Sequence, residues 1–191
     1  MQIQGVQVGV ARKVLIGGRA ILSAIRKTAV AGPVALRALG LDGDEQADLS
    51  VHGGLEKAVY AYPSEHYAFW REQREQAGLA AIDDQLPFGA MGENLTLAGL
   101  LETDVWVGDV LEFANCSLRV EQPREPCFKF NAAMGFNTAV MTMAQCGFCG
   151  FYLSVHQSGA LQVGDRFALH QGPRRISIPE RFNAKMFKHM R

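Results

Sequence analysis

Short alternating stretches separated by glycines dominate the first part of the chain. Val6-Gln7-Val8-Gly9-Val10 and Val34-Ala35-Leu36-Arg37-Ala38 have strand-like alternation, and Gly17, Gly18, Gly32 and Gly40 mark breaks, which predicts short strands joined by turns. A helix is predicted after Pro63. Ser64 caps it, Glu65 suits its first turn, Tyr67, Trp70 and Arg74 share a face, and it ends by Gly78. Further on, Val105-Trp106-Val107-Gly108-Asp109-Val110-Leu111-Glu112-Phe113 and Leu161-Gln162-Val163-Gly164-Asp165-Arg166-Phe167-Ala168-Leu169 share a strand, Gly-Asp, strand pattern. Glycine-kinked, bent strands suit a small curved barrel.

The expected fold is therefore mainly β with α: a partly closed β-barrel with peripheral short helices. Ser117-Leu118-Arg119-Val120-Glu121 reads as a strand entering a proline segment, and Phe151-Tyr152-Leu153-Ser154-Val155 as a later core strand. Thr138 to Gln145 suits a short helix, and the tail after Pro179 a docking helix that Gly172-Pro173 lets pack apart from the barrel. No linker or low-complexity stretch divides the chain, so one domain is expected over residues 1–178 with a helical tail at 179–191.

Composition narrows the function classes. The 191 residues carry 19 basic and 19 acidic side chains, a formal charge of zero, which removes any general electrostatic reason to bind nucleic acid or an anionic membrane. The N-terminus lacks a signal-peptide core, Arg26-Lys27 interrupts the later apolar stretch, and no run approaches a membrane span, so a cytoplasmic location is expected. Cys116, Cys127, Cys146 and Cys149 are too few for a disulfide-stapled secreted scaffold. Cys146-Gly147-Phe148-Cys149 is a C-x-x-C without a second pair, open to two packing cysteines or to a redox or metal role.

The most informative stretch is Gln122-Pro123-Arg124-Glu125-Pro126-Cys127-Phe128-Lys129-Phe130-Asn131. Pro123 and Pro126 keep it extended until Cys127, just beyond a strand end. Arg124, Lys129 and the start of a helix expected at Phe128 surround that sulfur with positive charge, which favours thiolate, the nucleophilic and metal-binding form. The local residues also allow a small core cysteine beside a proline turn. Two loops are further candidates. Asp42-Gly43-Asp44-Glu45-Gln46-Ala47-Asp48-Leu49-Ser50-Val51-His52-Gly53-Gly54 reads as an anion-binding loop or an acidic turn capped by His52. Gly89-Ala90-Met91-Gly92-Glu93-Asn94-Leu95-Thr96 orients a polar ligand, or else Glu93 satisfies loop amides and Asn94 takes a left-handed turn. The Tyr60, Tyr62, Tyr67, Phe69 and Trp70 cluster reads as core.

Taken in order, the Leu41–Asp48 block, His52-Gly53-Gly54 with Lys57-Ala58-Val59-Tyr60-Ala61-Tyr62-Pro63, Phe88–Leu95 and Gln122–Asn131 resemble the MOSC domain family, the molybdenum cofactor sulfurase C-terminal domains. The resemblance is closer to the stand-alone bacterial YiiM-like branch and runs from about Gly5 to Ile178. It implies a molybdenum-pterin cofactor with Cys127 as metal ligand and catalytic residue. Arg124, Lys129, His52, Lys57, Asn94 and Asn131 match the motifs and become the implied cofactor contacts, with Asp48 or Glu93 as proton relay. The implied activity is reduction of N-hydroxylated small molecules such as hydroxylaminopurines and hydroxylamines. The rival is a non-catalytic module that passes molybdopterin or sulfur to a partner enzyme.

The chain departs from the family pattern in ways that shape these expectations. It has no iron–sulfur cysteine set, so a separate reductase or ferredoxin-like protein is expected to supply electrons. Ser154 stands where relatives carry an arginine that contacts an anion, and a short tail after Ile178 bears on a dimer contact, leaving an oligomer open. PLP is not expected, because the fused desulfurase domain of the full sulfurases is absent.

Overall fold

Strand β1 (Gln2–Val8) sets the frame, running earlier than the alternation at Val6–Val10 predicts. Its ladder ends at Val8 because Gly9 turns away, its N–H donating to Asp44 Oδ1 at 2.7 Å. The computed structural model describes residues 1–47, 53–79 and 86–187. Within these the strands after β1 are β2 (Arg12–Ile16), β3 (Arg19–Ser23), β4 (Thr28–Ala29), β5 (Val34–Arg37), β6 (Gly40–Leu41), β7 (Val59–Pro63) and β8 (Leu95–Ala98). β9 (Val110–Glu112), β10 (Ser117–Pro123), β11 (Phe151–Gln157), β12 (Gly159–Leu161) and β13 (Ala168–His170) follow. The helices are α1 (Tyr67–Gln76), α2 (Phe128–Met134), α3 (Ala139–Cys146) and α4 (Ile178–Met186). The fold is mostly β with short helices, and none among the described residues is long and apolar enough to cross a membrane.

An eight-stranded sheet in the order β13-β9-β10-β11-β7-β8-β1-β4 carries the core. β7 lies near its centre, antiparallel to β11 and parallel to β8. All five of its residues are buried, as expected for a strand covered on both faces. The sheet is not closed into a barrel: no ladder joins its edge strands β13 and β4. It curls only far enough for Gln2 to bridge Arg166 and for Ile3 N–H to donate to Asp165 O at 2.9 Å.

The two Gly-Asp motifs are tight turns rather than kinks within strands. Asp109 N–H donates to Trp106 O at 3.1 Å and Asp165 N–H to Gln162 O at 3.2 Å. Gly108 and Gly164 both sit at φ 93°, the left-handed third position such turns require. Each aspartate then accepts from the backbone three residues before it, Asp109 Oδ2 from Trp106 N–H and Asp165 Oδ2 from Gln162 N–H. Ordinary turn chemistry explains the motif, and strand curvature does not.

The expected helices form with shifted caps. Ser64 does not cap α1; residues Ser64–His66 form a 3-10 turn first, held by Glu65 Oε1 accepting from Gly99 N–H at 2.7 Å. Tyr67 and Trp70 are its buried face, and the chain leaves through Gly78 at φ 77°. α4 does not pack apart from the sheet. Ser177 and Glu180 form a capping box, Ile178 N–H donates to Val105 O at 2.9 Å, and Ile178 and Phe182 are buried in the common core.

Gly150, between α3 and β11, has φ 62°, and a Cβ there would collide with Ala61 O and lie 2.8 Å from Tyr60 Cε2. Gly147 has φ 74° but open space around it. Gly150→Ala should therefore lower stability by roughly 2–4 kcal/mol, from strain plus overpacking. Gly147→Ala should cost about 1 kcal/mol, from strain alone. Urea midpoints at unchanged slope test this, and equal losses would show that packing at Gly150 is not the limiting term.

Candidate functional site

Cys127 is held where β10 hands over to α2. The segment 124–126 leaves the sheet, Cys127 takes extended angles (φ −123°, ψ 173°), and Phe130 N–H donates to its carbonyl at 2.7 Å to start the helix at Phe128, as the prolines predict. The sulfur is half-buried. It lies at the junction of two recesses of about 100 and 570 Å³, both lined by Lys57, Glu125, Cys127, Lys129 and Tyr152.

Arg124 forms the floor of the smaller recess. It is 5% exposed, and its guanidinium carbon lies 5.1 Å from the Tyr60 ring and 4.7 Å from the Phe130 ring. Trp70 backs Phe130 edge-on at 5.3 Å, and Tyr152 leans on Tyr60 at 5.3 Å. Aromatic faces partly offset the loss of water around a cation. Tyr60 and Tyr152 also meet the guanidinium through their side chains, yet Arg124 Nη1 is buried with no partner among the described residues. Lys57 Nζ lies 5.8 Å from the Tyr152 ring centre. Lys129 Nζ donates to Leu22 O at 3.2 Å.

Not every residue nominated from sequence reaches this cleft as a ligand contact. Asn94 lines it, but its amide is committed: Oδ1 accepts from Tyr60 N–H at 3.1 Å and Nδ2 donates to Gln7 O at 3.2 Å. With Asn94 N–H donating to Tyr60 O and Gln7 N–H to Asn94 O, the residue stitches β7 to β1. It does not take the left-handed turn, which falls to Gly92 at φ 85°. Asn131 does not line the cleft; Nδ2 donates to Asn137 O at 2.7 Å and Oδ1 accepts from Val140 N–H at 2.8 Å, joining α2 to α3. His52 and Asp48 lie outside the described residues.

Glu93 is fully buried and does not line the cleft. It accepts from Tyr67 Oη, from Gly89 N–H at 2.7 Å, from Met91 N–H at 3.1 Å and from Thr96 Oγ1 at 2.8 Å. It thus shapes the loop that carries Gly92 and Asn94. Cys146 and Cys149 are likewise away from the cleft lining, and burial raises both thiols above their usual range. Packing is the reading this favours. Ser154 donates to Glu121 Oε1 at 2.6 Å.

The structure adds residues that sequence reasoning missed. Lys27 and Asp44 form a buried ion pair in the smaller recess, although 17 positions separate them. Tyr60 and Tyr152 line the cleft, and burial raises both phenols, so each keeps its proton. For Tyr152 the signal was present: it alternates with the fully buried Phe151 and Leu153, so it faces the other side of β11.

The MOSC domain model matches residues 48–168, a span that includes β7, β10, α2 and β11, which build the cleft. The chain belongs to the MOSC domain family. Membership carries a molybdenum-cofactor-related function. Protein YiiM of Escherichia coli (strain K12) is 41% identical over 142 residues, covering 74% of this chain and 61% of YiiM. Uncharacterized protein YflK of Bacillus subtilis (strain 168) is 38% identical over 162 residues, covering 84% of this chain and 70% of YflK. A protein named Reductase from Gibberella moniliformis (strain M3125 / FGSC 7600) is 35% identical over 169 residues, covering 88% of this MOSC chain but 29% of that protein. The crystal structure of YiiM from Geobacillus stearothermophilus superposes with TM-score 0.73 at 32% identity, covering 99% of this chain and 86% of the other.

Burial raises the Glu93 pKa against the pull of its four donors. Its ionisation is then disfavoured in the folded chain, so stability falls as pH rises from 4.5, the ordinary glutamate value, through the raised folded value. Glu93→Gln places an amide donor against Met91 N–H or Gly89 N–H and should cost about 1–3 kcal/mol at acid pH. The gap to wild type should narrow as pH rises, because glutamine does not ionise. Urea midpoints across pH measure it; a constant gap would show that Glu93 does not titrate in that window.

Proposed function

We propose that this chain is a molybdenum-cofactor-dependent reductase of N-hydroxylated compounds, of the hydroxylaminopurine and hydroxylamine type, with the Cys127 thiolate as metal ligand. The observation that carries the reading is a cysteine and a buried guanidinium with an unpartnered Nη1 at one cleft. A soft sulfur suits a metal that also binds the sulfurs of a pterin. An Arg fork and two ammonium groups, Lys57 and Lys129, suit the pterin's phosphate. The dithiolene sulfurs of a pterin would supply further soft ligands to a metal held at Cys127. The homology to a protein named Reductase supports redox chemistry.

When bound, the cofactor would supply the two-electron chemistry that removes oxygen from nitrogen. The chain's own groups then have separable tasks. Arg124, Lys57 and Lys129 bind and orient the anionic end, and His52 is carried over from the family motif as a further contact. Tyr60 and Phe130 keep water from the guanidinium. Tyr152, on the wall of both recesses, would offer its hydroxyl as a hydrogen-bond donor to the departing oxygen. Asn94 and Asn131 fix the strands and helices that carry these groups. Electrons come from a separate reductase or ferredoxin-like partner.

The test is molybdenum and pterin content of protein made in a cofactor-competent host, together with reductant-driven turnover of hydroxylaminopurine. Metal-loaded protein without turnover, carrying persulfide on Cys127, would favour the sulfur-carrier alternative instead.

Cys127→Ser should abolish reduction and molybdenum retention, because serine replaces a soft ligand with a hard one in similar volume. Reduction with molybdenum still bound in that variant would reject the ligand assignment. Arg124→Met should change apo stability by no more than about 1 kcal/mol, since it removes a buried charge along with its aromatic contacts. It should nevertheless weaken cofactor affinity about tenfold or more, a loss of roughly 1.4 kcal/mol, with Arg124→Lys restoring part. Equal losses of apo stability and affinity would make Arg124 a structural residue.

A further inference from the structure

The two recesses that meet at Cys127 differ in chemistry. Beyond the residues they share, the smaller adds the ionic groups Lys27, Asp44, Glu45 and Arg124 beside apolar Ala24, Ile25 and Ala47. The larger adds Ile21, Gln122, Pro123, Pro126 and Phe128, of which only Gln122 is polar, and Gln122 Oε1 already accepts from Lys185 Nζ at 3.1 Å. One wall of the larger recess comes from far away in sequence. β2 and β3 form a two-stranded sheet of their own, with Arg12 opposite Ser23, Val14 opposite Ile21, and Ile16 opposite Arg19.

Opposed residues of an antiparallel pair share a face, so Val14, Ile16, Ile21 and Ser23 lie on one side of this hairpin, with the exposed Arg12 and Arg19 at its ends. That side looks into the cleft: Ser23 lines the smaller recess and Ile21 the larger, and Val14 and Ile16 are half-buried. The other side is exposed, with Leu15 at 79% and Leu22 at 48%. Lys129, two residues past Cys127, ties the hairpin to α2 through Leu22 O.

We propose that Ile21 determines which substrates reach Cys127. From the inner face of the β2–β3 hairpin it narrows the larger recess, which takes a small-molecule body against its apolar wall, with the polar reacting group toward the sulfur and the charged Lys57, Glu125 and Lys129. At about 570 Å³ the recess falls within the range of small-ligand pockets. Tyr152, Phe128 and the two prolines supply apolar walls for such a body, while the anionic cofactor end belongs with Arg124 in the other recess. This assignment rests on Cys127 marking the reactive end of the cleft, as proposed above.

Access can be measured without redox turnover. In the full chain free of cofactor, Cys127 alkylation is followed by peptide mass spectrometry with iodoacetamide and with the bulky N-(1-pyrenyl)maleimide. Ile21→Trp should lower the bulky-to-small rate ratio about tenfold, the effect of crowding a packed wall, and Ile21→Ala should raise it about threefold. Leu15→Ala, on the outer face, should leave the ratio within about twofold of wild type. In molybdenum-loaded protein the Ile21 variants should shift kcat/KM for phenylhydroxylamine relative to hydroxylamine in the same directions. Unchanged ratios in both Ile21 variants would overturn the proposal. Shifted alkylation ratios in a chain whose loaded form reduces no N-hydroxylated compound would leave the gate standing and reject the reductase reading alone.

Discussion

A guanidinium held away from water is the constraint around which the site is organised. Arg124 follows directly on β10 and its backbone N–H donates to Gly150 O, so its position is fixed by the same pairing that registers β10 on β11. Tyr60 from β7 and Phe130 from α2 close on its two sides, and Trp70 from α1 backs Phe130. Four elements thus converge on one charge. Aromatic contact recovers only part of the hydration that a buried cation gives up. The unmatched Nη1 leaves the folded chain with an interaction that an anionic ligand can complete, so ligand binding and folding stability are linked through this atom.

Carboxamides and carboxylates beside the cleft answer a different demand. A loop rich in glycine exposes backbone N–H groups, and burying them without partners costs more than burying a side chain that meets them. Glu93 therefore collects donors from Gly89, Met91, Thr96 and Tyr67, while Asn94 and Asn131 bridge backbone across β1–β7 and α2–α3. Such residues are easily mistaken for ligand contacts, since both tasks need the same functional groups at the same loop.

This explains how far the sequence could be read. The Ser117–Glu121 strand and the proline spacing together located Cys127 just beyond a strand end with a helix starting at Phe128, and Gly78 marked the end of α1. These are local rules. The Lys27–Asp44 pair and the Tyr60–Arg124–Phe130 stack depend on long-range contacts that no local pattern encodes. The Gly-Asp motifs failed for another reason: a glycine inside an alternating run looks the same whether it bends a strand or ends it in a turn, and only the hydrogen bonds to Trp106 and Gln162 decide. The extent of barrel closure is set by where the edge strands end, and alternation carries no information about that.

The tail helix also acts on the cleft. Lys185 of α4 donates to Gln122 Oε1 and to Glu125, the carboxylate that lines both recesses. An unpaired carboxylate there would weaken the positive field of Arg124, Lys57 and Lys129 in the cleft. Because Glu125 is half exposed, solvent screens much of that influence, and the pair contributes little to stability by itself. Its larger effect is geometric. Gln122 and Glu125 flank Pro123 and Arg124, so one ammonium group on a helix capped by Ser177 and anchored by Ile178 and Phe182 pins the segment that presents both the guanidinium and the thiol. The rigidity that Pro123 and Pro126 give the segment within itself is thereby referred to the core, so the guanidinium and the thiol are held in a fixed relation to each other.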